Sequence, residues 1–198
     1  MNIIESKDIS HELIKTLFTK STVVLEDIKK SINRNEYNNK IIVLAFFEPS
    51  TRTSLSFESA MYKLGGKVIS FNADTSSIKK GESFEDTIHT LSSYGDILII
   101  RHPEKGMVSK AATLSSIPII NAGDGNGEHP TQALTDIYTM YKKYGWKFTK
   151  KSILITGDIK NSRTVHSLIN ILNIYPEMKI YLLPYKGLEP TDDLLNTI

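Results

Sequence analysis

The sequence of 198 residues contains no cysteine, so disulfide frameworks and cysteine-ligated zinc or iron–sulfur sites are excluded. It also has almost no excess of charge of one sign, because 24 Lys and Arg against 22 Asp and Glu leave a formal net charge of +2. This balance excludes a charge-driven disordered tail and gives no support for a general nucleic-acid-binding surface. We therefore expect a folded chain with no nucleic-acid partner.

Long hydrophobic runs are absent too. The longest clean apolar run covers residues 41–47, which is far too short to span a bilayer. The start of the chain contains the acid Glu5 and no apolar core before a small-residue cleavage site, so it does not resemble a signal peptide. We expect a cytoplasmic protein without a membrane partner, and 40% hydrophobic residues leave room for a real core.

Short apolar runs alternate with stretches of helical periodicity along the chain. Continuous apolar runs favour buried strands of a parallel sheet, and they occupy residues 41–47, 67–71, 96–100, 117–120, 152–156 and 179–183. Helical patterns occupy residues 11–33, as one broken helix or two, and residues 53–64, 83–94, 107–114, 130–144 and 162–174. This alternation predicts an α/β fold, with a parallel sheet and helices on both faces.

The basic segment 142–151, interrupted by Gly145, indicates a boundary between two similar α/β domains. Four predicted strands precede it, whereas only two strands and one helix follow. About 50 residues are marginal for an independent α/β domain. We expect a first domain at residues 1–145 and a second, truncated domain at residues 146–198.

Unusual polar clusters follow the predicted strands, and ligands of open α/β sheets bind at the carboxyl ends of the strands. Directly after the first strand, residues 48–54 read Glu-Pro-Ser-Thr-Arg-Thr-Ser and open a helix. The hydroxyls of Ser50, Thr51 and Thr53, the free N–H groups of the helix start and the guanidinium of Arg52 favour an anion site. The alternative is an ordinary Ser/Thr helix cap. A dinucleotide site is disfavoured because its glycine fingerprint is absent.

Two further strands are followed by candidate ligand-binding residues. Arg101 follows residues 96–100 and is expected to point at the cleft, the alternative being a solvated surface arginine. In the glycine-containing loop 121–132, His129 and Gln132 flank a helix start. The histidine could hydrogen-bond a carbonyl or a developing oxyanion, the alternative being a structural histidine.

Cations in two other loops admit a ligand-binding and a structural interpretation. Lys79 and Lys80 could close over a phosphate, although composition alone favours a solvated lysine pair. Arg163, near a helix start, could clamp a carboxylate or form an interdomain ion pair. Metal-ligand spacing, a Walker loop, a G-x-S-x-G elbow and a catalytic triad are absent from the sequence. The cleft is therefore expected to be cationic, metal-free and suited to group transfer from a phosphorylated donor.

Several motifs resemble those of one family. Residues 46–58, Phe-Phe-Glu-Pro-Ser-Thr-Arg-Thr-Ser-Leu-Ser-Phe-Glu, are similar to the carbamoyl phosphate signature of the aspartate/ornithine transcarbamylases. Residues 101–103 (Arg-His-Pro), 129–132 (His-Pro-Thr-Gln) and 79–82 (Lys-Lys-Gly-Glu) match further family segments. The aspartate branch is favoured by Ser54, where ornithine enzymes usually carry Arg, and by the segments 121–125 and 157–167. The resemblance runs along nearly the whole chain.

This resemblance implies transfer of the carbamoyl group of carbamoyl phosphate to L-aspartate, an early step of pyrimidine biosynthesis, with no cofactor. The positions that match the family's phosphate-binding and catalytic motifs are Ser50, Thr51, Arg52, Thr53, Arg101 and His129. The first four would hold the phosphate. Thr53, Arg101 and His129 would contact the carbamoyl carbonyl oxygen, so that Arg52, Thr53, Arg101 and His129 form the expected catalytic set.

Other matching positions imply further substrate contacts and an oligomer. Gln132 would hold the carbamoyl amide, and Arg163, oriented by Glu48, would bind an aspartate carboxylate. The family builds its site between subunits of a homotrimer, so Ser76 and Lys80 would reach into a neighbouring site. A separate regulatory chain is a further partner that the family admits.

The family's aspartate-binding domain continues beyond residue 198, which predicts that the second domain is partial here. Two alternatives for the function stay open. One is an ornithine-type transcarbamylase, and the other is a truncated, non-catalytic subunit that binds carbamoyl phosphate.

Overall fold

The computed structural model describes residues 1–197, so residue 198, the last of the predicted second domain, lies outside the described residues. The strands are β1 (Ile41–Phe46), β2 (Lys67–Asn72), β3 (Ile97–His102), β4 (Ile119–Asp124), β5 (Ser152–Gly157) and β6 (Lys179–Pro184). The helices are α1 (His11–Lys29), α2 (Thr51–Lys63), α3 (Phe84–Ser92), α4 (Met107–Leu114), α5 (Pro130–Tyr144), α6 (Arg163–Leu172) and α7 (Asp192–Leu195). Within residues 1–197, every helix is too short or too polar to cross a lipid bilayer.

These strands form two parallel sheets, in the order β2-β1-β3-β4 and β5-β6. The first sheet buries its two central strands: Val43 and Leu44 in β1, and Leu98 and Ile100 in β3, are at most 1% exposed. One face of this sheet packs against α3 and α4, and the other packs against α2 through Met61. The predicted α/β fold, a parallel sheet with helices on both faces, is confirmed in these four strands.

The sheet of β5 and β6 is covered on one face only within residues 1–197. Ile155 and Leu182 pack with Ile169 of α6. On the opposite face, Leu154 and Leu183 are 60% and 58% exposed, because side chains alternate between the two faces of a strand. Parallel sheets normally carry helices on both faces. The second unit therefore has the character of a partial α/β layer.

A shared hydrophobic cluster of residues from both sides of the predicted boundary connects α1 and α5 with α6. Phe18 of α1, Ile137 of α5, Phe148 of the 3₁₀ helix that follows α5, and Leu172 of α6 are all at most 2% exposed in this cluster. The segment around the predicted boundary is therefore packed into a core to which helices from both sides contribute. The division of the chain into two domains stays a prediction.

Several helices begin or end at other residues than predicted, and the differences at α1 and α2 have a clear local cause. α1 is one continuous helix that ends at Lys29, rather than one broken helix or two helices that reach residue 33. Ser31 has a φ of 54°, and this left-handed conformation cannot continue a right-handed helix. α2 begins at Thr51 instead of residue 53, because Ser50 is already its N-cap residue.

Candidate active site

The carboxyl ends of β1, β3 and β4 lie side by side, because these strands are parallel neighbours in one sheet. The loops that follow them border a cavity of about 590 Å³. Six of the predicted site residues line this cavity: Arg52, Thr53, Arg101, His129, Gln132 and Arg163. Three of them are arginines, and the described lining contains no acid. The cavity is therefore suited to a ligand that carries negative charge.

Four predicted site residues lie outside the lining of this cavity. Ser50 and Thr51 stand at the start of α2, next to the lining residue Arg52. Ser76 and Lys80 lie in the loop after β2, where the Ser76 hydroxyl accepts a hydrogen bond from the N–H of a residue in its own turn and Lys80 is exposed. The fold does not bring Ser76 and Lys80 to the cavity of their own chain, and their role at a neighbouring subunit stays a prediction.

The start of α2 leaves its backbone donors available. Ser50 is the N-cap residue, yet its side chain accepts no hydrogen bond from the first turn, and that turn contains no acid. The interpretation of the Ser50 hydroxyl as an ordinary cap is therefore wrong. Free N–H groups at a helix start attract anions, and the exposed Arg52 stands in the same turn.

Glu48 holds two of the guanidinium groups of the cavity. Its Oε1 lies 2.6 Å from Arg101 Nε and 3.4 Å from Arg163 Nη2. Arg163 Nη1 also donates to the carbonyl oxygen of Gly125 at 2.6 Å. Burial and the neighbouring Arg163 lower the pKa of Arg101, whereas Glu48 raises it. The Arg101 side chain is only 15% exposed, so its interpretation as a solvated surface arginine is wrong.

Both guanidinium groups lie against the backbone at Gly123, near the end of β4. A Cβ at this position would stand 3.4 Å from Arg101 Nη1 and 3.3 Å from Arg163 Cζ. The φ of Gly123 is 130°, in the region that favours glycine. A side chain here would therefore strain the strand end and displace both arginines.

His129 is buried at the start of α5. It is 5% exposed, its backbone N–H donates to Ser167 Oγ at 2.8 Å, and its Nδ1 lies 3.3 Å from Thr131 Oγ1. Burial, and then the nearby Arg163 and Arg101, lower the pKa of His129 from 6.5 to about 4. The imidazole is therefore neutral near pH 7, and one of its ring nitrogens carries a proton that it can donate to a carbonyl oxygen.

A pH-dependent loss of stability is expected from this buried histidine. In the unfolded chain His129 binds a proton near its ordinary pKa of 6.5, whereas in the folded chain it stays neutral down to about pH 4. The unfolded state binds more protons in this window, so the free energy of unfolding falls as the pH is lowered, by about 2 kcal/mol between pH 7 and pH 5. Denaturant unfolding of the parent chain and His129→Gln at both pH values measures this. The variant should lose less stability on acidification, and an equal loss in the two proteins would contradict the expectation.

Gln132, the residue assigned to the carbamoyl amide, is held by a neighbour that sequence analysis missed. Its Nε2 donates to Asp136 Oδ1 at 3.0 Å. Burial raises the pKa of Asp136, whereas the bond from Gln132 lowers it. An acid inside an amphipathic helix carries no distinguishing signal in the sequence, because most such acids face water.

Glu128, directly before His129, is a second residue that sequence analysis missed. It accepts hydrogen bonds from the backbone N–H of Ser6 at 2.5 Å, from the Ser6 hydroxyl, and from Asn170 Nδ2 at 3.2 Å. Ser6 is 122 positions away along the chain, so no local pattern reveals this contact. Glu128 joins the N-terminal segment and α6 to the loop that carries His129.

Comparisons with known proteins agree with this geometry. A family model described as "Aspartate/ornithine carbamoyltransferase, carbamoyl-P binding domain" matches residues 1–142. The chain is 45% identical over 183 residues to the aspartate carbamoyltransferase catalytic subunit of Thermococcus kodakarensis. This match covers 92% of this chain and 58% of the relative. The chain is also 45% identical over 192 residues to the aspartate carbamoyltransferase catalytic subunit of Clostridium novyi. This match covers 96% of this chain and 62% of the relative.

A solved structure of this family has a similar fold. Aspartate transcarbamoylase from Trypanosoma cruzi in complex with carbamoyl phosphate has a TM-score of 0.94 to this fold at 38% sequence identity. The match covers 98% of this chain and 64% of that chain. The chain thus spans less than two thirds of the length of each of these three relatives.

Proposed function

Because the chain belongs to the aspartate/ornithine carbamoyltransferase family, we propose that it transfers the carbamoyl group of carbamoyl phosphate to the amino group of L-aspartate. The products are N-carbamoyl-L-aspartate and phosphate. The observation that carries the proposal is the single cationic cavity in which the start of α2 meets Arg101, His129 and Gln132. The Trypanosoma cruzi relative, whose title names carbamoyl phosphate as its ligand, supports the same donor.

In the proposed complex the donor lies with its phosphate toward α2 and its carbamoyl group toward α5. The phosphate lies at the start of α2, where free N–H groups and Arg52 supply charge-assisted hydrogen bonds. Thr53, Arg101 and His129 then surround the carbamoyl carbonyl oxygen, and Gln132 contacts the carbamoyl amide. The neutral state of His129 matters here, because its N–H can donate without adding a further positive charge beside Arg101 and Arg163.

The chemistry needs no redox change. The aspartate amine attacks the carbonyl carbon, a C–N bond forms, and the carbonyl becomes a tetrahedral oxyanion. The C–O bond to phosphate then breaks, and the phosphate takes the proton that the amine loses. Fixed donors at an oxyanion stabilise the transition state by roughly 3–4 kcal/mol for one good donor, and holding two anionic substrates together supplies much of the remainder.

Binding of the acceptor and assembly of the subunits are also proposed from the membership of the family and the positions of the site residues. Arg163, held by Glu48 at 3.4 Å, binds an aspartate carboxylate as a planar fork. Ser76 and Lys80, which lie away from the cavity of their own chain, enter the site of the next subunit in a homotrimer. A separate regulatory chain is a further proposed partner, and we propose a cytoplasmic location.

A second candidate function is carbamoyl phosphate binding without turnover. The face of the β5–β6 sheet that carries Leu154 and Leu183 is exposed within residues 1–197, and this observation favours binding without turnover by the described residues. An ornithine-type activity is the third outcome, since the matching family model describes both acceptor classes.

One assay separates these candidates. Purified chain is incubated with carbamoyl phosphate and either L-aspartate or L-ornithine, and the carbamoylated products are measured. Donor binding is measured by calorimetry with phosphonoacetamide, a stable analogue of the donor that lacks an acceptor half. Turnover with aspartate supports the first proposal, and turnover with ornithine alone supports the ornithine reading. Binding without turnover supports the second candidate, whereas absence of binding contradicts all three.

A further inference from the structure

The hydrogen bond between Gln132 and Asp136 lies at the wall of the proposed donor site. The two residues are one turn apart on α5, on the same helix face, with Nε2 and Oδ1 at 3.0 Å. Gln132 lines the cavity, whereas Asp136 is not among its lining residues. Within residues 1–197, Asp136 has no lysine, arginine or histidine within 4.0 Å, so its described polar side-chain contact is this amide.

A hydrogen bond to a carboxylate fixes which end of a glutamine side-chain amide faces a ligand. A primary amide has a donor end and an acceptor end of similar shape, and either end can face a ligand. An ionised carboxylate accepts hydrogen bonds and donates none. Asp136 therefore holds the NH₂ end of Gln132, and the acceptor Oε1 is left for the cavity. Among the described residues no donor is bonded to this Oε1, which stays available to a ligand.

We propose that Asp136 is a positioning residue that sets the specificity of the site for its acyl donor. By holding the Gln132 amide, it presents Oε1 as an acceptor for an N–H of the carbamoyl group. An acyl phosphate with a methyl group in place of this NH₂ offers no donor and leaves Oε1 unpaired. The inference deepens the proposed function and rests on it, since it assumes that carbamoyl phosphate binds in this cavity.

A purely structural role for the same contact makes a different prediction. A Gln–Asp pair four residues apart stabilises a helix slightly, whatever ligand is present. Loss of this helix stabilisation would weaken the binding of both donor analogues equally, or it would lower the free energy of unfolding without changing binding. Discrimination between an amide and its methyl counterpart changes only if the orientation of Gln132 is what Asp136 controls.

The test uses two stable analogues of the donor that differ in one group: phosphonoacetamide carries an NH₂ where acetonylphosphonate carries a CH₃. Calorimetry on the parent chain should show about tenfold tighter binding of the amide, as expected for one hydrogen bond. In Asp136→Asn the new side chain can donate to Gln132, so the ratio should fall to about twofold or less. The affinity for the methyl ketone should change by less than about twofold.

Four further proteins complete the experiment. Asp136→Glu keeps an acceptor-only group and should retain most of the ratio, which also covers the case in which Asp136→Asn does not fold. Gln132→Ala should abolish the ratio, and the double variant with Asp136→Asn should add no further loss. The exposed Asp193→Asn in α7 is the matched control for loss of one charge and should behave as the parent.

The outcomes separate this inference from the proposed function. A parent chain that binds neither analogue contradicts the proposed function, and the inference falls with it. A parent that binds both analogues equally, or an Asp136→Asn variant that keeps the parental ratio, overturns the role of Asp136 and leaves the proposed function standing. Collapse of the ratio in Asp136→Asn but not in Asp136→Glu supports the inference.

Discussion

An Arg101→Ala variant is expected to bind carbamoyl phosphate, or a bisubstrate phosphonate, about 10- to 100-fold more weakly than the parent chain. Arg101 is 15% exposed and is fixed by Glu48 at 2.6 Å, so its guanidinium is pre-organised at the edge of the cavity. Its removal deletes a charged donor and leaves Glu48 with only the longer contact to Arg163. A hydrogen bond from a charged group contributes about 1.5–3 kcal/mol, which corresponds to roughly 10- to 100-fold in affinity.

Calorimetric titration measures this effect, and Arg34→Ala is its matched control. Arg34 is also a partly buried arginine paired with carboxylates, those of Asp27 and Glu36, but it does not line the cavity. The control should therefore lose stability and keep its affinity. Should Arg101→Ala bind as tightly as Arg34→Ala, the cavity is not the donor site.

Glu128→Ala is expected to lower the free energy of unfolding by about 3 kcal/mol, because the change leaves several buried donors without an acceptor. The backbone N–H and hydroxyl of Ser6, which is 2% exposed, lose their shared partner. Asn170 loses its contact from α6 at the same time.

Denaturant unfolding measures the Glu128 effect, with Glu12→Ala as the control. Glu12 has 82% of its side chain exposed and forms only a surface pair with Lys15, so its loss should change stability by less than about 1 kcal/mol. Glu128→Gln keeps one acceptor oxygen and should fall between the two. Equal stability of Glu128→Ala and Glu12→Ala would show that the Ser6 contact contributes nothing.

The parts of the site that sequence analysis predicted share one property: they follow strands. Continuous apolar runs identified β1, β3 and β4, and the carboxyl ends of parallel neighbours meet at one edge of a sheet. Arg52, Arg101 and His129 therefore lie together, as predicted, although they are far apart in the chain. The resemblance to the transcarbamylases, which the comparisons confirm, added the chemistry that spacing alone left open.

The residues that were missed depend on contacts with no local signature. Asp136 looks like an ordinary exposed helix acid until its partner Gln132 is placed beside it. Glu128 accepts a hydrogen bond from Ser6, which is 122 positions away in the chain. The end of α1 was overestimated because apolar residues continue past Lys29, while the conformation at Ser31 ends the helix.

The shared cluster of Phe18, Ile137, Phe148 and Leu172 has a consequence for how the chain can be divided. A cut after residue 145 would separate apolar side chains that now shield one another from water. Each piece would then expose an apolar patch to solvent. We therefore expect neither piece to fold independently, because the cluster holds α6, which begins at Arg163, against α5.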